Sequence, residues 1–342
     1  MNNKSLIITT INVPTESIKS IVKLIEDSWD VVIVADKKTP LPWQLKGTTF
    51  LSLEIQQESK FSYAKICPFN SYARKNIGYL YAMANGARCI AETDDDNRPY
   101  SGFLQDLSPF VTARLLAVDG WVNVYRLFTD NKIWPRGFPL EEISTSFSTE
   151  LTVDEPMRHR CAIQQFLADG DPDVDAIYRL LNKDPVLFKN GSFALRGRSY
   201  CPFNSQNTAW FPEAYPLMYL PGHVSFRMTD IWRSFIAQVC LSAVGGSVSF
   251  SGATVFQERN AHDLMKDFQD EIPGYVHNSE VIRVLEGLRL GSQSSDTIHN
   301  LRKCYEALVA CHIVPAAELE LLESWIADLG LIPKREGSLT ST

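Results

Sequence analysis

The opening stretch of the chain constrains its fold more than any other feature. Residues 5–10 (Ser-Leu-Ile-Ile-Thr-Thr) form a β-rich apolar run. Ile18, Ile21, Val22 and Ile25 follow at the i, i+3, i+4, i+7 spacing of an amphipathic helix. Residues 30–35 (Asp-Val-Val-Ile-Val-Ala) then read as a second, buried strand. A strand, a helix and a strand in that order form a βαβ unit, and such a unit implies a parallel sheet. A shorter strand is expected at 50–53. Asn70 or Ser71 is placed to cap a helix carrying Ile77, Leu80, Tyr81 and Ala84, with Gly86 set to end it.

A third apolar strand, residues 88–91, runs into Asp94-Asp95-Asp96. If the strand continues, alternation aims Asp94 and Asp96 one way and Asp95 the other. Paired carboxylates at a strand end suit a hard divalent cation, Mn²⁺ or Mg²⁺, which keeps positions open for phosphate oxygens. Open α/β sheets bind ligands outside the carboxyl ends of their strands, where this triplet falls. The competing reading is a solvated acidic loop.

Further along, 121–127 reads as a strand. Residues 186–188 and 193–195 read as two short strands around an Asn190-Gly191 hairpin turn. The Pro-, Asn- and aromatic-rich stretch 202–221 reads as an ordered loop. A helix is expected at 229–243, a strand at 247–250, helices after about 279 and a disordered tail at 334–342. This divides the chain into an α/β domain (1–278), a helical C-terminal region (279–333) and the tail (334–342).

Composition excludes several functions. The 342 residues are 45% hydrophobic and 21% charged, ordinary for a globular protein, and the net charge of −7 argues against nucleic-acid binding. The seven cysteines are scattered and contain no CxxC, which fits buried reduced thiols of a cytoplasmic protein. There is no signal-peptide pattern and no apolar run of about 18 residues. The motifs GxxxxGK[ST], GxGxxG after the first strand, HExxH and GxSxG are absent. ATPase, Rossmann dehydrogenase, zincin and serine hydrolase readings therefore lack their central element.

Several other residues are candidates for the site. Asp36, after the second strand, is placed to meet a nucleoside, or is a loop carboxylate. Lys46 is a phosphate contact or a surface lysine. Arg74 and Lys75, at a helix start, offer positive charge to a diphosphate or to the acidic triplet. Arg136, in the Trp134-Pro135-Arg136-Gly137 string, can hold a sugar or brace a rigid loop. Asn204, Asn207 and His223 can hydrogen-bond sugar hydroxyls. Asp230 is a helix N-cap or a general base for an acceptor hydroxyl. His262 is a candidate third metal ligand beside Asp94 and Asp96, and Asp95 is counted with the donor-binding residues.

These residues together resemble a known family. Leu45-Lys46-Gly47, Phe50-Leu51-Ser52-Leu53-Glu54, Pro68 through Leu80, the acidic triplet, Trp134 to Gly137, Asn204 to Thr208 and Asp230-Ile231-Trp232-Arg233 look like the STELLO family of plant Golgi proteins. A weaker similarity reaches the reversibly glycosylated polypeptides, which are UDP-arabinopyranose mutases. The resemblance covers about residues 5–280. It implies a GT-A-like, Rossmann-like fold: a mixed, mainly parallel sheet flanked by helices. It also implies a glycosyltransferase, but neither a donor nor an acceptor. With the acidic triplet, the expectation is a metal-dependent enzyme using a nucleotide-diphosphate sugar, a UDP-sugar first among them. The acceptor expected is a glycan, a lipid-linked saccharide or another hydroxyl compound, as in polysaccharide biosynthesis. Plant STELLO proteins are longer and membrane-anchored. This chain shows no such anchor, so the expectation is a cytoplasmic protein, with peripheral association at the inner membrane face left open. A nucleotide-sugar mutase and a non-catalytic sugar- or protein-binding scaffold are the alternatives.

Overall fold

A computed structural model of the chain describes residues 2–151, 153–258 and 263–333. Its strands are β1 (Lys4–Thr10), β2 (Asp30–Ala35), β3 (Thr48–Leu51), β4 (Cys89–Thr93), β5 (Asn97–Pro99), β6 (Phe110–Leu116), β7 (Gly120–Trp121), β8 (Met157–Arg160), β9 (Ile163–Gly170), β10 (Ser192–Arg196), β11 (Ser199–Tyr200), β12 (Asn207–Trp210) and β13 (Ser247–Gln257). Its helices are α1 (Glu16–Ile25), α2 (Leu53–Glu58), α3 (Ser62–Ile66), α4 (Lys75–Ala84), α5 (Ile143–Ser148), α6 (Ala176–Leu181), α7 (Thr229–Ala243), α8 (Leu264–Glu286), α9 (Thr297–Ala310) and α10 (Glu318–Gly330).

The large sheet runs β3-β2-β1-β4-β12-β9-β13-β10-β6-β8, and β5 pairs with the far part of β13. Its first four strands are parallel, as the opening βαβ pattern requires. The antiparallel β12 sits between β4 and β9 and makes the sheet mixed. The expected α/β class, a mixed sheet flanked by helices with a helical C-terminal region, is the observed one.

Two layers cover the sheet. On one face Ile18, Ile21, Val22 and Ile25 of α1 pack with Leu6, Ile8, Val31 and Ile33. Each such burial favours folding by about 1.5–3 kcal/mol relative to exposure, before chain entropy is charged. On the other face α4 packs on β1 and β2 and α7 on β13, and Ile7, Val32 and Val34 share one core with them. Gly78 lets α4 lie directly on the sheet: a Cβ there would stand 2.5 Å from Ile7 Cγ2 and 2.7 Å from Val34 Cγ2. The C-terminal helices join this second core through Leu301, Leu308, Leu321, Leu322 and Trp325. Helix α8 passes through residues 278 and 279 without a break.

Three expectations fail for identifiable reasons. Residues 121–127 are not a strand. Gly120–Trp121 pairs briefly with β11, and Val124–Leu127 is a 3-10 turn. Residues 186–188 and 193–195 do not form a hairpin, because β10 pairs with β13 and β6 while Val186 bridges Gly170. Distant partners outcompete the Asn190-Gly191 turn. The 202–221 stretch is not all loop, since it carries β12 at the centre of the sheet. All four β12 residues are buried, so no period-two pattern marks them. The short strand expected at 50–53 is Thr48–Leu51, after which Ser52 caps α2.

Candidate active site

The acidic triplet lies in a turn immediately after β4, at the carboxyl ends of the parallel strands. Because β4 ends at Thr93, each acid is aimed by its own partners and strand alternation does not apply. Asp95 is structural. Its Oδ2 accepts from Thr10 Oγ1 (2.5 Å) and Asn12 Nδ2 (3.0 Å). Its carbonyl accepts from Thr15 Oγ1 (2.5 Å), and Thr15 also caps α1. Asn97 closes the other side of the turn, donating to Thr93 Oγ1 (2.9 Å) and the Gln206 carbonyl (2.8 Å).

Asp94 and Asp96 are the acids left facing the site. Asp94 Oδ1 accepts from the Tyr72 hydroxyl at 3.0 Å and lies 3.7 Å from Lys75 Nζ. Burial pushes its carboxyl up, Lys75 pulls it back and Asp96 adds to the rise. The result stands at about 7. Asp96 meets Gln257 Nε2 at 3.3 Å from each oxygen. Lys75 is fully buried beneath, donating to the Tyr72 hydroxyl (2.6 Å) and the Thr93 carbonyl (3.2 Å).

A hydrogen-bonded chain leads inward from Asp94. The Tyr72 hydroxyl meets Ser205 Oγ at 2.7 Å, and Ser205 donates to Asp230 Oδ2 from both its hydroxyl and its amide, each at 3.1 Å. Asp230, in the first turn of α7, is gripped by Arg136 through two bonds of 3.0 and 2.9 Å. Arg136 also holds Asp173 with two bonds of 2.8 Å. Arg227 pairs with buried Glu271 at 2.7 Å. Burial alone would raise Asp230, but Arg136 holds it below the ordinary carboxylate range. A base for an acceptor hydroxyl must be free and near neutral in pKa. Asp230 is 4% exposed and fully engaged, so the general-base assignment is corrected. Arg136, locked between two carboxylates, is likewise corrected from sugar contact to internal brace. Trp134 is also engaged, donating to Asp175 at 2.5 Å.

Other sequence candidates divide. Arg74 is buried away from the triplet, bonded to Gln56 and to the Cys67 carbonyl (3.1 Å) and stacked 4.8 Å from Phe69. Its role as a diphosphate contact is corrected to holding α2 and α3. Asp36 accepts from the amides of Lys37 (2.7 Å), Asn70 (2.9 Å) and Ser71 (3.0 Å), so it fastens the end of β2 to the loop before α4. Lys46 precedes β3 and so lies at the amino ends of the parallel strands, away from Asp94, which corrects its phosphate role. Asn204 binds within its own turn, its Oδ1 accepting from the Gln206 amide at 3.0 Å. Asn207 donates to Thr254 Oγ1 at 2.9 Å. The His223 side chain is exposed and its amide donates to Glu318 at 2.7 Å. His262 lies outside the described residues.

Sequence reasoning missed Tyr72, Ser205 and Gln257. Tyr72 stands three residues before Lys75, a spacing that could have linked them. Ser205 and Gln257 carried no signal, since Ser205 reaches the site from the loop before β12 and Gln257 from the carboxyl end of β13, both far from the triplet in sequence. Exposed Phe226 also stands here, its ring 5.7 Å from Tyr72. Among the described residues no three His, Cys, Asp or Glu side chains converge as a metal cluster, and no helix is long and apolar enough to cross a membrane.

Residues 227–337 match the family model of the STELLO glycosyltransferases, a span that holds β13 and the helices from α7 onward but not the acidic turn. Two relatives from Arabidopsis thaliana align with 99% of this chain. "Probable glycosyltransferase STELLO2" is 27% identical over 368 residues and "Probable glycosyltransferase STELLO1" is 31% identical over 363. The chain spans about half the length of these curated relatives, 46% of each. A solved mycobacterial protein covers 92% of this chain and 76% of its own at a TM-score of 0.38 and 8% identity, a likeness too slight to carry an argument. The chain is STELLO-like across nearly its whole length.

Proposed function

We propose that this STELLO relative is a metal-dependent glycosyltransferase of GT-A type that takes its sugar from a nucleoside-diphosphate sugar, a UDP-sugar first among them. The observation that carries the reading is the Asp94–Asp96 pair at the strand carboxyl ends. Burial and mutual repulsion raise Asp94 to about 7 despite Lys75 beneath it. A carboxylate so placed gains from a cation. Mg²⁺-type ions commonly bind through one or two carboxylates and complete their shell with substrate phosphates and water. The residues present therefore fit Mn²⁺ or Mg²⁺ held by Asp94 and Asp96. Such an ion supplies charge neutralisation to a leaving diphosphate.

The chain's own residues do the positioning. Lys75 and the Tyr72 hydroxyl orient Asp94. Asp230 fixes Ser205, which meets Tyr72, so its work is to hold this chain in register. Asp95 and Asn97 keep the turn closed so that Asp94 and Asp96 stay at its open side. The acceptor is a glycan or another hydroxyl-bearing saccharide.

The deciding experiment is calorimetric titration of UDP, GDP and CDP with and without Mn²⁺, on wild type and on Asp94→Ala/Asp96→Ala. Metal-dependent binding of one nucleotide, lost in the variant, is the expected result and names the donor base. A folded wild type that binds none of the three would overturn the reading.

A further inference from the structure

A concavity whose lining includes no residue of the acidic turn lies elsewhere on the sheet. It is a groove of about 670 Å³ on the sheet face that carries α1, lined by strands and loops with no helical residue. Three features mark it as built for a ligand. First, β13 leaves its ladder with β9 between Ser251 and Val255, so Gly252, Ala253 and Thr254 line the groove off register. Such bulges re-aim side chains and cluster beside binding sites. Second, the loop closing one side holds Leu104 and Asp106 in left-handed backbone, at φ 56° and 50°. That conformation is costly for a branched apolar residue and persists where the surroundings enforce it. Third, Gln164 is 2% exposed yet lines the groove. Its Nε2 donates to the carbonyls of Ser108 (2.6 Å) and Cys161 (3.2 Å), which fixes the amide in the groove wall.

The lining chemistry selects the ligand class. One acid, Asp106, and one base, Arg114, stand in a lining otherwise made of amides, hydroxyls and apolar side chains. No excess of one charge is present to hold a phosphate. Amides of Gln105, Gln164 and Asn190 and hydroxyls of Ser192 and Thr112 can donate and accept at once, and the Phe166 ring adds an apolar surface. Alternating hydroxyls and C–H faces are the surface of a sugar. Asn207, paired in register with Thr93 of β4, donates to Thr254 in the groove wall. The strand that carries Thr254, β13, continues to the acidic turn, where Gln257 meets Asp96 at 3.3 Å. We infer that this groove binds an uncharged oligosaccharide and that it serves as an acceptor-holding subsite. The acceptor role rests on the transferase reading; the binding itself does not.

The test is calorimetric binding of neutral hexasaccharides of glucose, mannose, galactose and xylose, with the matching disaccharides, to the full chain. Three proteins are compared: wild type, Thr112→Trp, which fills the groove from an exposed position, and Gln105→Ala/Asn190→Ala, which removes exposed polar groups. UDP–Mn²⁺ binding is measured in parallel. The expected result is that at least one hexasaccharide binds wild type more tightly than its disaccharide does. Both variants then weaken it about tenfold with UDP–Mn²⁺ binding unchanged. If no member of the panel binds wild type, or if neither variant weakens the binding, the groove assignment falls. Saccharide binding without any nucleotide binding would sink the transferase reading and leave the groove standing.

Discussion

Two groups of carboxylates sit within one hydrogen-bonded chain and meet opposite fates. Asp173 and Asp230 are buried around Arg136, which forms two bonds to each, and both are held below the ordinary carboxylate range. Asp94 lies at the other end of the chain, its side chain 32% exposed. There burial and Asp96 outweigh Lys75, and its carboxyl rises to about 7. The acids are chemically the same. The difference is how completely the fold neutralises them. A carboxylate fully paired inside the protein is part of the frame, and one left wanting positive charge is available to a ligand.

The comparison breaks most visibly at Arg136. Arg136→Leu leaves two buried carboxylates without their cation, and urea unfolding should show a loss of about 3–5 kcal/mol or failure to fold. An equally stable Arg136→Leu protein would show that the inner cluster is not a frame. Asp94→Asn should do the reverse, with nucleotide affinity in Mn²⁺ falling at least a hundredfold while the fold survives. Its stability effect has a definite sign. Asp94 binds its proton more tightly folded than unfolded, so it costs stability as pH rises from about 4 through about 7. The melting temperature of Asp94→Asn relative to wild type should therefore improve between pH 4 and pH 8.

A subtler change concerns pH alone. Because a metal needs the ionised carboxylate, Mn²⁺ affinity should climb about tenfold per unit up to about pH 7 and then flatten. Titrations at pH 5.5, 6.5, 7.5 and 8.5 would show it, and a flat profile would remove Asp94 from the ligand set. Smallest of all, Tyr72→Phe should cost about 1 kcal/mol of stability. It should also move that midpoint upward, since the Tyr72 hydrogen bond favours ionised Asp94. A midpoint that stays put would mean the hydroxyl does not tune Asp94.

Legibility in the sequence followed the range of the interactions. The opening βαβ unit, α7 (Thr229–Ala243) and the strand into Asp94 were readable because their patterns are local: Ile18, Ile21, Val22 and Ile25 keep strict helical spacing and are all buried. β12 was not readable, because a strand buried on both faces between β4 and β9 has no alternation. The same distinction runs through the site. Acid type and strand-end placement exposed Asp94 and Asp96. Nothing in the sequence tells that Asp230 would be met by an arginine 94 residues away or that Arg74 would turn inward to Gln56.

Glu318 has a wider reach than its position suggests. From the start of α10 its buried carboxylate accepts from Tyr219 and from the amides of Gly222 and His223, the stretch that leads to Phe226 beside Tyr72. The last helix is thus a tether for the rim of the site. A chain cut before residue 318 could retain its strands and its acidic turn and still present a slack entrance. Fragment mapping would then report α10 as an activity element although its contribution runs through Glu318 and the 219–223 stretch. For anyone shortening the protein for crystals or for engineering, the consequence is that the usable unit must include α10.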